Sequence, residues 1–180
     1  MASSSMITFT VAFCLVAGSA VAVPPATLQE TCKSAGEQEA LCVEILSSNP
    51  AAQQTPVDTP ALAHAAVMAA GANATGTADE LGRIYDAVET KTKSPDLQRC
   101  IEDCNERYQS AAQFLSQASS KLDAGSFDEA SVLISGAQSV VKLCQRTCQS
   151  VPQGELTVCS KNVDRLCTIA AAITGLLKNQ

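Results

Sequence analysis

The residues in this chain best equipped for chemistry are its nine cysteines. They stand at 14, 32, 42, 100, 104, 144, 148, 159 and 167, and two CxxxC pairs, Cys100/Cys104 and Cys144/Cys148, are the most regular spacing. Thiols at that spacing can ligate a metal, act as nucleophiles or pair as disulfides. Zinc is disfavoured because no histidine accompanies them and the chain has a single one, His64, in an alanine-rich stretch. A general base at His64 needs a partner within hydrogen-bond reach, and spacing supplies none, so His64 reads as a structural or surface residue. Neither paired carboxylates nor a Ser/His/Asp set stands out. The sequence therefore assigns no catalytic residue and calls for no cofactor or metal. Asn73-Ala74-Thr75 is a glycosylation sequon, with Asn73 as the candidate acceptor.

The compartment decides what thiols do. Residues 7–23 are apolar and uncharged and reach Ala20-Val21-Ala22, an A-x-A cleavage pattern. Residues 1–22 thus read as a secretory signal peptide, although they contain no Lys or Arg, and residues 23–180 as one domain. The apolar run is too short and too interrupted by Ser, Thr and Gly for a membrane anchor. Cys14 leaves with the leader. Eight cysteines remain, an even number bound for an oxidising compartment, which argues for disulfides. The net charge of −6 and the lack of a basic cluster argue against nucleic acid and anionic membrane as partners.

The elements that must position these cysteines are helical. Aromatics make up only 3% and Trp is absent, which suits close-packed helices. Residues 26–48 read as two short helices bent at Gly36. Residues 50–60, with three prolines, form an extended connection. The first long helix starts with Thr59 as cap and Pro60 in its first turn; Leu62, Ala66, Ala69, Leu81, Ile84 and Val88 keep helical spacing. Gly71, Gly76 and Gly82 predict a kink or break near 71–77. The second helix opens at Ser94-Pro95 and carries the cleanest stripe, Leu97, Ile101, Cys104, Tyr108, Ala111, Leu115, Ala118 and Leu122. It ends at Gly125. Ser126-Phe127-Asp128-Glu129 is a capping-box pattern opening the third helix, and the fourth runs from about Leu156 to Leu177. Short loops make consecutive helices antiparallel. The predicted fold is all-α: an up-down-up-down four-helix bundle with a short N-terminal helical hairpin, stapled by disulfides.

Antiparallel helices pair positions of constant index sum. Cys100 with Cys148 and Cys104 with Cys144 share the sum 248, so the two bonds form together as rungs of one ladder. The rival pairing gives 244 and 252 and needs a twisted register. Each bridge is worth roughly 3–4 kcal/mol in the chain-entropy model, less for a second on the same hairpin. Cys32 and Cys42 close the N-terminal unit on itself. Cys159 and Cys167 would lie about 12 Å apart in one unbroken helix, too far to bond. Either Cys159 precedes the helix and the bond is local, the favoured reading, or the two are bonded elsewhere or free.

The pattern resembles the pectin methylesterase inhibitor and invertase inhibitor family of plants. Cys32…Cys42-x-x-x-Leu46 is similar to that family's first cysteine pair. Leu97 to Ala111, with Cys104 and Tyr108, is similar to its L-x-x-C-x-x-x-Y-x-x-A segment. Ile134-Ser135-Gly136-Ala137 followed by Cys144 is similar to its SAA…C segment, and Ala170 to Leu177 to its final helix. The resemblance places the family's second disulfide on Cys104–Cys144. Cys100, Cys148, Cys159 and Cys167 are additional, and the Pro-Lys-Phe element linked with invertase inhibition is absent.

The resemblance implies a secreted proteinaceous inhibitor and not an enzyme. Its partner would be a secreted pectin methylesterase or acid invertase, bound 1:1 by a monomer or weak dimer. Its place would be the apoplast and cell wall, with the vacuole as the other destination. The alternative is a structural or allergen-type bundle of the same family without a target. Glu102, Asp103, Glu106 and Arg107 form a charged face on the second helix that reads mostly as solvated. An inhibitor must still present an exposed surface, and the candidates on this helix are Glu106, Arg107, Ser110 and Gln113. Tyr108 reads as core.

Overall fold

The computed structural model of the protein describes residues 27–89, 94–148 and 162–178. The predicted leader, Cys159 and the predicted start of the fourth helix near Leu156 lie outside them. All regular structure among the described residues is helical. Thr27 and Glu30 form a capping box that opens α1 (Leu28–Lys33). Gly36 then turns the chain with φ +57°, a region that favours glycine, and α2 (Glu39–Leu46) follows. Cys32 and Cys42, both wholly buried, bridge this small hairpin with their Cα atoms 5.6 Å apart.

The connection to the bundle is not extended throughout. Asn49 caps a 3₁₀ turn at Pro50–Gln53 through the Ala51 amide. The cap of α3 (Thr59–Glu89) is Asp58, whose carboxylate accepts from the Ala61 N–H at 3.0 Å. Thr59, read from sequence as the cap, is instead the first helical residue. Asp and Thr are both good caps, and only the backbone path decides between neighbours.

Of the kink or break expected near residues 71–77, the break does not occur: α3 is one uninterrupted helix through Gly71, Gly76 and Gly82. The glycine propensity cost is small beside the burial around it, where Ala70, Ala74, Ala78 and Leu81 are in the core. Gly71 also faces α4 (Pro95–Asp123) closely, since a Cβ there would sit 3.7 Å from Leu115 Cβ. His64 meets Ser119, Gly71 meets Leu115 and Gly82 meets Asn105. Partners on α4 fall in number as those on α3 rise, so the two helices are antiparallel. Gln138 with Thr168 and Lys142 with Asp164 give the same sign for α5 (Phe127–Thr147) and α6 (Asn162–Leu177). The four long helices pack as a square, α3 beside α4 and α6, α5 beside α4 and α6.

The joint between α4 and α5 sets the register of the cysteines. Ser94 caps α4, as its position before Pro95 predicts. At the other end Gly125 adopts φ +70°. The Gly125 N–H donates to Leu122 O and the Ser126 N–H to Lys121 O, the pair of bonds of a Schellman turn. The turn centres on residues 124–125, which is where an index sum of 248 requires the hairpin to fold back. Ser126 makes no side-chain cap on α5, so the capping box read from Ser126 and Glu129 is not formed. Its amide already belongs to the preceding turn, and its ψ of 65° is not the extended geometry a capping serine needs.

Small side chains let α4 and α5 approach. Ala111, Ala118, Ala130 and Ala137 are fully buried around Tyr108, Leu115 and Ile134. Replacing Gly125 by Ala isolates the backbone contribution, because no atom lies within 4 Å of the added methyl. The expected cost is about 1 kcal/mol from the left-handed conformation alone, a fall in Tm of about 2–4 °C. Thermal unfolding by circular dichroism measures it, and an unchanged Tm would contradict the role given to this turn.

Candidate functional site

Two disulfides hold the α4–α5 hairpin: Cys100–Cys148, with Cα atoms 5.3 Å apart, and Cys104–Cys144, at 4.8 Å. The second rung is wholly buried. The first ends at Cys148, the half-buried residue that terminates α5. Sulfurs of Cys100, Cys104 and Cys148 lie within 4.8 Å of one another, but bonded sulfurs are not thiolate ligands, so the cluster is no metal site in this state.

Cys167 behaves differently from the reading that gave it a local bond to Cys159. It is a buried free thiol in the body of α6. Burial pushes its pKa up to about 12, the Asp164 carboxylate adds to the rise, and Lys142 opposes it. A thiol held protonated is a poor nucleophile. The native protein should therefore leave Cys167 unmodified by iodoacetamide at pH 8 and expose it only on unfolding, as peptide mass mapping would record. Rapid labelling in the folded state would contradict its enclosure.

The outer face of the hairpin carries all four candidate contact residues. Glu106 and Gln113 are exposed, and Arg107 and Ser110 are partly buried. Ser110 returns its hydroxyl to the Glu106 carbonyl. Arg107 is fixed: its Nε and one terminal nitrogen donate to the two oxygens of Asp103, each at 2.7 Å. These hydrogen bonds hold the Asp103 carboxyl below its usual range against the opposing effect of burial, and Thr147 of α5 and the Arg107 charge reinforce them. Further along the seam Phe114 covers Gly136, with ring carbons 3.7–3.8 Å from where a Cβ would sit. Val132, 71% exposed, then walls a shallow hollow of about 430 Å³ with Gln117, Lys121 and Leu133. Leu143 is also exposed. The face thus offers apolar points between fixed charges. The sequence reading missed Val132 and the bidentate Asp103–Arg107 pair; the (i, i+4) spacing of Asp103 and Arg107 was the available signal.

A lowered carboxyl pKa stabilises the fold above the unfolded value near pH 4 and loses that contribution as pH falls through the native value. Asp103→Asn should lower the Tm at pH 7, and its difference from the parent should shrink toward pH 2. A constant difference across that range would refute the assignment.

Another cleft, about 850 Å³, lies between the end of α2, the start of α3 and the end of α4. His64 lines it, with Nε2 2.8 Å from Ser119 Oγ and 3.6 Å from Asp123 Oδ1. A serine, a histidine and an aspartate meet here, yet both contacts fall on one ring nitrogen. A catalytic relay needs the carboxylate on the opposite nitrogen. The contact ties α3 to α4. Asn73 is exposed in the body of α3, its side-chain amide donating to the Ala69 carbonyl.

The described residues form an all-helical bundle whose α4–α5 hairpin is closed by two disulfides and carries fixed charges and exposed apolar side chains. Residues 26–173 match the family described as plant invertase/pectin methylesterase inhibitor, and the chain belongs to that family. It is 30% identical over 118 residues to cell wall/vacuolar inhibitor of fructosidase 2 of Arabidopsis thaliana, a stretch covering 66% of this chain and 62% of that relative. In fold it is similar to a mutant form of a pectin methylesterase inhibitor from Arabidopsis, with TM-score 0.68 and 22% identity over 84% of this chain and 97% of that one. A second pectin methylesterase inhibitor structure, from Arabidopsis thaliana, gives 0.59 and 23% over 83% and 95%. No described helix is long and apolar enough to cross a membrane.

Proposed function

We propose that this protein is a secreted inhibitor that occludes the active-site cleft of a pectin methylesterase or an acid invertase in a 1:1 complex. The observation that carries this reading is the family match over residues 26–173, nearly the whole described domain. The outer face of α4 and α5 is the docking surface, with Glu106, Arg107, Ser110 and Gln113 as contacts and Val132 and Leu143 as apolar anchors. Two disulfides preorganise it, so binding orders little of the inhibitor's own backbone and the entropic cost of docking falls. Residues 1–22 direct export and are removed. The working compartment is the cell wall space or the vacuole, the two places that the fructosidase inhibitor relative is named for.

The test adds the purified protein in micromolar steps to each enzyme at mildly acidic pH and follows residual activity. Saturable loss with one of them is expected. Full activity of both throughout the titration would sink the reading. The double variant Glu106→Arg/Gln113→Arg should weaken inhibition by about tenfold or more while preserving the helical spectrum, since reversed or added charge at a docking rim is repulsive. Undiminished inhibition would move the docking surface elsewhere.

A further inference from the structure

The two rungs of the hairpin touch each other. Cys104 Sγ lies 3.2 Å from Cys148 Sγ, its neighbour in the other disulfide, and Cys100 Sγ is within 4.8 Å of both. The rungs differ in access. Cys104 and Cys144 are 0% exposed and Cys100 is 2% exposed, whereas Cys148 is half-buried where α5 ends. Of the four residues only Cys148 is not fully buried, so it is the one rung end that a thiolate from solvent would meet first.

We propose that Cys148 is a thiol-exchange site for a small dithiol, and that the buried Cys104–Cys144 bond opens only through it. The dithiol's thiolate attacks Cys148 Sγ. A mixed disulfide forms, the Cys100–Cys148 bond breaks, and Cys100 leaves as a thiolate that takes up a proton. The second thiol of the reagent closes on the first, releasing Cys148 as a thiolate. The reagent is now a cyclic disulfide, and the protein has gained its two electrons. Cys148, still against Cys104, attacks that sulfur. A Cys104–Cys148 bond forms, the Cys104–Cys144 bond breaks, and the Cys144 thiolate is protonated. This last step is an isomerisation with no net redox change. It leaves the only remaining rung on the accessible sulfur, where a second dithiol can remove it. Direct attack on Cys104 or Cys144 is blocked by burial, so the accessible rung guards the inner one.

The experiment treats the folded protein with dithiothreitol at pH 8, at a concentration that leaves the helical spectrum intact. Samples are blocked with iodoacetamide over time and mapped without reduction. Cleavage after Glu102 separates Cys100 from Cys104, and cleavage after Arg146 separates Cys144 from Cys148. The expected sequence is loss of Cys100–Cys148, then a Cys104–Cys148 peptide with Cys100 and Cys144 alkylated, then full reduction of the pair. In Cys100→Ser/Cys148→Ser the Cys104–Cys144 bond should survive at least about tenfold longer under the same treatment. Loss of Cys104–Cys144 in the parent without the rearranged peptide at any time overturns the proposal, and so does equal loss in parent and variant. The readout is the bonding pattern, so the outcome is independent of whether either enzyme is inhibited.

Discussion

The constraint on which this structure depends is the fixed register between α4 and α5. The Schellman turn at Gly125 folds the chain back about a single point, and the index sum it creates brings four cysteines into two bonds. Each depends on the other. A slip of the turn by one residue would carry the sulfurs off the shared face, and a hairpin without the bonds would rest on an alanine-rich seam with little apolar area per residue. Burial contributes about 25 cal/mol for each Å² of apolar surface, and Ala111, Ala118, Ala130 and Ala137 each supply one methyl. Loop closure restrains the unfolded chain as well, so the staples act where the side chains are smallest.

Much of this was legible before any coordinates. The cysteine ladder, the apolar stripes of α3 and α4 and the bend at Gly36 follow from spacing, because helical period and antiparallel packing are geometric. What misled were local competitions. Asp58 and Thr59 are both suitable caps, and the chain's path chose the aspartate. Ser126 had the right neighbours for a capping box but had given its amide to the turn before it. Three glycines suggested a break in α3, whereas the helix, packed on α4, runs uninterrupted through them. For Cys167 a local bond to Cys159 was the favoured reading and a free thiol the open alternative, and it is a buried free thiol. The candidate contact residues were found as a charged face, while Val132 escaped notice because an isolated exposed valine has no periodic signature.

The site follows a similar logic. An inhibitor needs a surface that does not rearrange, and here rigidity comes from beneath. Cys104 of the inner rung stands next to Asp103 in α4, and both oxygens of Asp103 hold the Arg107 guanidinium. The guanidinium is therefore presented in one orientation, its cost of ordering met during folding. The meeting of Ser119, His64 and Asp123 shows the converse: a suggestive set of residue types has no catalytic meaning when the hydrogen bonds fall on the wrong atoms.

Phe114 lies over Gly136 on the outer seam, away from both rungs. Residue 136 consequently acts as a gauge for the height of that ring. A methyl fits in ordinary contact beneath it, and any bulkier group lifts the aromatic edge outward. The contour of this outer face can thus be reshaped at one position while the covalent frame of the hairpin stays intact.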